Sequence, residues 1–99
     1  MYLLSIPFAA ALWERLPPGD ARFSALRGRI AEDDGRLDDA ALHYRQAAAL
    51  DPLYALAHRN LGLLLARAGH ADAARAELEA ALRLDPADAE VQAFLSSVP

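Results

Sequence analysis

The sequence repeats itself after 34 residues, and this period limits the fold more than any other feature. Placing residues 21–54 on residues 55–88 aligns nine identical pairs. Most of them are small or turn-forming residues, which backbone geometry constrains strongly. The pairs are Ala21/Ala55, Gly28/Gly62, Gly35/Gly69, Asp38/Asp72, Ala40/Ala74, Ala47/Ala81, Leu50/Leu84, Asp51/Asp85 and Pro52/Pro86. A period of this length predicts an array of stacked supersecondary units.

Each unit is predicted to contain two helices. Asp20 is a suitable N-cap for the first helix, because its carboxylate can accept a hydrogen bond from an unpaired backbone N–H. Gly35 and Gly69 are expected to end the first helix of each unit, since glycine readily adopts the left-handed conformation found after helix ends. The predicted helices span residues 21–34, 38–50, 53–68, 72–84 and 87–97.

A Leu-Asp-Pro sequence ends both units, at residues 50–52 and 84–86. Proline disfavours helical geometry in the residue before it, so Asp51 and Asp85 are predicted to be extended. Pro52 and Pro86 are expected to open the next helix, where the missing N–H has no cost. The aspartate is then placed to cap that helix.

Gly28 and Gly62 stand inside predicted helices, where glycine costs about 1 kcal/mol relative to alanine. Because this cost recurs at the same position of both units, we expect a close helix crossing that leaves no room for a Cβ. The other side of each crossing is expected to carry small residues of the second helices, namely Ala40, Ala47, Ala74 and Ala81.

The N-terminal segment is apolar but short. Its apolar part covers about a dozen residues and is interrupted by Ser5 and Pro7, whereas a membrane-spanning helix needs roughly 20. A secretory signal would require a basic region before its apolar part, and no basic residue precedes this segment. We predict a packed helix over residues 6–16. A signal remnant, a membrane anchor and a subunit contact remain the alternatives.

Composition excludes several classes of function. The net charge is −4 and all ten basic residues are arginine, which gives no general attraction to nucleic acid. There is no cysteine, and His43, His58 and His70 lack metal-ligand spacing. The sequence therefore predicts a cytoplasmic protein that is not an enzyme and has no cofactor and no metal site, although the apolar N-terminus leaves export or anchoring open.

The pattern of glycine, glycine, alanine, a large apolar residue, alanine and Leu-Asp-Pro resembles the tetratricopeptide repeat. Ser24 and His58 replace the early aromatic residue of that family. The resemblance implies an all-α, right-handed solenoid of about six helices in antiparallel pairs. The implied single domain comprises a degenerate half-repeat (1–18), two repeats (21–54 and 55–88) and a capping helix (89–99). The residues that carry the pattern are Gly28, Gly35, Ala40, Tyr44, Ala47 and Pro52, then Leu61, Gly62, Gly69, Ala74, Leu78, Ala81 and Pro86.

The resemblance also implies that the first helices line a groove that binds a protein or peptide. Guanidinium groups can hold carboxylates and asparagine can hydrogen-bond a peptide backbone, so an acidic segment or a free C-terminus is the expected partner. The side chains expected to line the groove form a stripe along the first helices, and this stripe also includes Asp33 and Glu90. The predicted partner-binding residues are Arg22, Arg29, Leu56, Arg59, Asn60, Leu63, Arg67 and Phe94.

Self-association is the alternative function. The apolar residues of segments 1–16 and 89–99 exceed what a solvated cap needs, so these segments could join a second copy of the chain. Among them, Phe8 and Trp13 stand in the first segment, and Val91, Phe94 and Leu95 in the second. Attachment of residues 1–13 to a membrane is the least favoured interpretation.

Overall fold

A computed structural model describes residues 19–97 of the protein, and this part of the chain folds into five α-helices without strands. The predicted all-α architecture is confirmed, and the helix predicted over residues 6–16 lies outside the described residues. Among the described helices, none is both long enough and apolar enough to cross a membrane. The helices are α1 (Ala21–Asp33), α2 (Leu37–Leu50), α3 (Ala55–Arg67), α4 (Ala71–Leu84) and α5 (Ala89–Ser97).

The helices pack in the pairs that the repeat predicts. The most extensive contacts join α1 to α2 and α3 to α4, while α2 meets α3 and α4 meets α5 over smaller areas. The first helices of successive units, α1, α3 and α5, are therefore separated along the chain by the second helices, α2 and α4.

Glycine ends α1 and α3 as predicted. Gly35 has a φ of +78° and Gly69 a φ of +87°, and no other described residue has a positive φ. The Arg36 N–H donates to the carbonyl of Ala31, and the Gly35 N–H donates to the carbonyl of Glu32, at 2.8 and 3.0 Å. These two bonds form a Schellman motif, which satisfies carbonyls at the helix end.

The two Leu-Asp-Pro sequences, which we call joints because each connects one unit to the next, differ from the prediction. Asp51 is extended, as expected, with a φ of −142° and a ψ of 92°, whereas Asp85 has a φ of −135° and a ψ of 82° and falls outside the extended region. However, Pro52 does not open the next helix, because residues 51–54 form a turn in which the Tyr54 N–H donates to the Asp51 carbonyl at 3.0 Å. The Asp51 carboxylate accepts from the Leu53 N–H inside that turn rather than capping a helix.

At the second joint the cap comes from a later residue than predicted. The helix begins at Ala89, and the Asp88 carboxylate accepts a hydrogen bond from the Val91 N–H at 3.2 Å. Asp85 instead accepts through its carbonyl from the Asp88 N–H. Two residues thus separate each Leu-Asp-Pro sequence from the helix that follows it, residues 53–54 in the first case and residues 87–88 in the second.

The close helix crossing is confirmed, but larger side chains than expected occupy its other side. A Cβ built on Gly28 would lie 2.6 Å from ring atoms of Tyr44, and one built on Gly62 would lie 2.6 Å from Leu78 Cγ. Both partners are fully buried. The predicted alanines of α2 and α4 are also buried, and they flank these two side chains. They are Ala40, Ala47, Ala74 and Ala81.

His58 makes polar contacts at the position where the tetratricopeptide repeat, which the sequence resembles, has an aromatic residue. Its Nδ1 lies 2.8 Å from a carboxylate oxygen of Glu77 in α4, and its Nε2 lies 3.0 Å from the carbonyl oxygen of Pro52. The imidazole thereby connects the first joint and both helices of the second unit. It serves the packing of the repeat and does not face the groove described next.

Candidate partner-binding groove

The described structure contains a groove of about 620 Å³. Its lining comes from α1, α3 and α5, the first helix of each successive unit. A volume of this size lies within the roughly 300–1000 Å³ typical of ligand sites. The lining residues are Arg29, Glu32, Asp33, Arg59, Asn60, Leu63, Ala66, Arg67, Glu90 and Phe94.

The apolar part of this lining comes from Leu63 and Ala66 of α3 and Phe94 of α5. Leu63 and Ala66 are three residues apart, so they share one face of α3. All three side chains are half-buried, which leaves part of their surface accessible to a ligand. An apolar side chain of a ligand could be buried against them.

Arg59 connects α3 to the beginning of α5. Its Nε donates to Asp88 at 2.9 Å, and its Nη2 forms an ion pair with Glu90. The Arg59 side chain is 27% exposed, so the pairs lie at the edge of the solvent. Asn60 lies beside it, with its amide oxygen 3.5 Å from Arg59 Nη1.

Arg67 belongs to a network that reaches the core. It forms an ion pair with Glu32 of α1, whose side chain is only 18% exposed. The other carboxylate oxygen of Glu32 accepts a hydrogen bond from the Tyr44 hydroxyl at 2.7 Å. Burial raises the pKa of Tyr44 above its usual value, which already lies well above neutral pH. The Tyr44 hydroxyl thus positions the Glu32 carboxylate, which in turn pairs with Arg67.

Arg29 lies at the rim, where its Nε is 3.3 Å from Asp33 and both side chains are largely exposed. The groove lining therefore contains three arginines and three carboxylates, and its formal charge is zero. Each of these arginines already pairs with a carboxylate of the protein. An acidic partner meets a set of paired charges rather than an open cationic surface.

The structure brings six of the eight predicted binding residues together in this groove, namely Arg29, Arg59, Asn60, Leu63, Arg67 and Phe94. Leu56 is exposed but does not contribute to the lining. Arg22 lines a separate depression beside Leu50 and Tyr54. The spacing placed both residues on the same helical stripes, but the groove begins further along α1 and α3.

Arg22 instead serves the N-terminus of α1. Its backbone N–H donates to Asp20 at 2.8 Å, which confirms Asp20 as the N-cap. Its guanidinium donates to both oxygens of the same carboxylate, at 3.0 and 2.7 Å. These side-chain bonds, and next the backbone bond, lower the pKa of Asp20 to about 2.

Two lining residues were not anticipated. Glu32 follows Arg29 by three residues and Ala66 follows Leu63 by three, so helical spacing could have placed both beside the predicted stripe. Asp88 was also missed as a partner of Arg59. Its signal was its place before α5, where an aspartate is favoured as a cap.

The expected apolar surplus on the last helix is smaller than predicted. Val91 is fully buried, and Phe94 and Leu95 are half-buried. Beside them lies a smaller cavity of about 220 Å³, which Ala66, Phe94 and Leu95 help to line. The apolar side chains of α5 are therefore largely packed within the same chain.

Comparison with known proteins agrees with this architecture. A family model described as tetratricopeptide repeat matches residues 8–55 and 26–89. The matched ranges together include both complete units and all of α1 to α4. No curated protein matches the chain significantly.

Proposed function

The chain belongs to the tetratricopeptide repeat family, and from that membership we propose that it binds a segment of another protein in the groove between α1, α3 and α5. Repeats of this family are in general protein–protein interaction modules and non-catalytic scaffolds. The proposal adds the place of binding and the chemistry of the segment.

The observation that carries the proposal is the joint lining of the groove by three successive first helices. An extended surface built this way offers several contacts to one segment, as stacked repeats generally do. Leu63, Ala66 and Phe94 provide apolar contact, and Asn60 provides an amide for hydrogen bonds to a peptide backbone.

The proposed segment carries an apolar side chain next to a carboxylate, either from an acidic residue or from a free C-terminus. The apolar side chain would lie against Leu63 and Phe94. The carboxylate would pair with Arg59, which is the least exposed arginine of the three in the groove. A guanidinium can hold a carboxylate through two hydrogen bonds, which adds orientation to affinity.

Peptide selection tests the proposal. Random dodecapeptides would be displayed with free C-termini and selected on the immobilised protein, and the enriched peptides would be synthesised and their Kd measured by fluorescence anisotropy. We expect Leu63→Ala and Arg59→Ala each to weaken binding by about tenfold or more, as truncation of a central contact commonly does.

The matched controls lie on the second helices. Leu42→Ala removes an exposed leucine of α2, and Arg83→Ala removes an exposed arginine of α4. Neither residue lines the groove, so both controls should retain the Kd of the unmodified protein. Equal losses in the groove variants and the controls would contradict binding in the groove.

A second proposal is self-association. The observation in its favour is a pair of exposed leucines at the first joint: Leu50 is 49% exposed and Leu53 is 75% exposed. The two leucines are three residues apart in the chain, and exposed apolar side chains that form a patch are common at protein interfaces. Light scattering at tens of micromolar would show a dimer mass that Leu53→Ser reduces to the monomer mass. A monomer throughout would exclude this proposal.

A further inference from the structure

The two carboxylates that hold Arg59 differ in how firmly the protein keeps them. Asp88 is 15% exposed, and its second oxygen caps α5 through the Val91 N–H. It cannot leave Arg59 without also disturbing the start of the helix. Glu90 is 64% exposed and lies in the first turn of α5. Within residues 19–97, its one ion pair is with Arg59.

The position of Glu90 is the position that a ligand carboxylate would occupy. Arg59 Nε donates to Asp88, so a carboxylate in the groove would meet the guanidinium at its Nη1 and Nη2 nitrogens; Nη1 lies 3.5 Å from Asn60 Oδ1, and Glu90 already pairs with Nη2. Two carboxylates cannot share one donor without repulsion. A partner carboxylate therefore binds Arg59 only after Glu90 has rotated into solvent.

We propose that Glu90 is a built-in competitor for the partner's carboxylate at Arg59, so that the groove discriminates against weakly anchored acidic segments. The inference depends on the proposed function, because it concerns the ligand of the same groove. An exposed ion pair contributes little, so Glu90 yields to a segment that also gains apolar contact with Leu63 and Phe94. A carboxylate without such contact gains nothing by the exchange.

The other two arginines of the groove do not offer this exchange. Glu32 is held by the Tyr44 hydroxyl beneath it, so it keeps its place beside Arg67. Asp33 and Arg29 lie on the same helix at the rim, four residues apart and more than 60% exposed. Among these pairs, only the one between Arg59 and Glu90 combines a half-buried cation with an exposed, rotatable anion.

The test compares Glu90→Gln with Glu79→Gln, which makes the same change of charge at an exposed position of α4 outside the groove. The probes are acidic dodecapeptides selected on the unmodified protein, each made also with glutamine in place of its acidic residues and an amidated C-terminus. We expect Glu90→Gln to bind the acidic form about threefold to fivefold more tightly than the unmodified protein, the effect of losing one exposed ion pair. Glu79→Gln should leave the Kd unchanged.

The uncharged form of each peptide separates this exchange from other effects. We expect Glu90→Gln to leave its Kd unchanged, because it brings no carboxylate to compete with Glu90. An equal gain for both forms of the peptide, or an equal gain with Glu79→Gln, would overturn the inference and leave the proposed function standing. A failure to select any peptide, or selected peptides insensitive to Leu63→Ala, would overturn the proposed function and the inference together.

Discussion

Gly62 lies so close to Leu78 that a Cβ added to the glycine would stand 2.6 Å from Leu78 Cγ and 3.2 Å from the Leu78 backbone nitrogen. This approach of α3 to α4 recurs between Gly28 and Tyr44 in the preceding unit. These crossings fix the helix pairs, and the packing of α2 on α3 and of α4 on α5 joins the pairs that carry the groove.

Gly62→Ala should destabilise the protein even though alanine is the better helix former. Overpacking costs about 1–3 kcal/mol and outweighs the roughly 1 kcal/mol gained in helix propensity, so we expect a net loss of about 1 kcal/mol in the free energy of unfolding by urea. Ala76→Gly, at an exposed position of α4, measures the propensity contribution alone. A variant stabilised by about 1 kcal/mol would show that no steric contact exists at Gly62.

Gly69→Ala should destabilise for a different reason. The position has open space for a Cβ, but its φ of +87° belongs to the region that L-residues disfavour. We expect a loss of about 1–2 kcal/mol in thermal or urea unfolding. Gly19→Ala is the control, because that glycine also has open space and no positive φ. Equal stability of the two variants would refute the backbone explanation.

Tyr44→Phe should cost about 1 kcal/mol of stability, since it removes the hydrogen bond to Glu32 and keeps the packing of the ring. A double-mutant cycle with Glu32→Ala, which removes the hydrogen-bond acceptor, measures the coupling of the two side chains by urea denaturation. We expect a coupling of about 0.5–1 kcal/mol. Strictly additive effects would indicate that Glu32 is held in place by Arg67 alone.

The N-cap of α1 should weaken in acid. The pKa of Asp20 is lowered to about 2 from a model-peptide value of 3.8, chiefly by the hydrogen bonds from the Arg22 side chain. A lowered pKa in the folded state means that the ionised carboxylate stabilises the fold above about pH 4, and that this contribution is lost as pH falls toward 2. NMR titration of the Asp20 carboxyl should give a midpoint near 2.

Asp20→Asn is the control for this titration, because asparagine can still cap the helix but carries no charge. In that variant the acid-dependent part of the stability that comes from this site should disappear. A midpoint for Asp20 close to 3.8 would show that the pairing with Arg22 does not persist in solution.

Much of the architecture could be predicted because it depends on local backbone requirements. Gly35 and Gly69 end helices through a conformation that other residues adopt at a cost, and Gly28 and Gly62 mark crossings that exclude a Cβ. The starts of α3 and α5 were predicted too early. The sequence Asp-Pro suits a turn as well as a helix start, and hydrogen bonds within residues 51–54 decide between the two.

The candidate site, too, could be predicted from the sequence only in part. Helical spacing placed Arg59, Asn60 and Leu63 on one face of α3, because 3.6 residues per turn is a local property. It could not show that Arg59 reaches Asp88 and Glu90, which lie 29 and 31 residues further along the chain. It also could not show that Arg67 meets Glu32 of a different helix.

The 34-residue repeat by itself determined an array of helix pairs and the ends of α1 and α3, which follow from the conformational preferences of glycine and proline and from the period of the helix. The resemblance to the tetratricopeptide repeat added the expectation that the first helices form the groove. The pairing of charges in the groove was decided only by the tertiary structure. An arginine side chain can reach many carboxylates, and the separation and rotation of packed helices determine which one it meets.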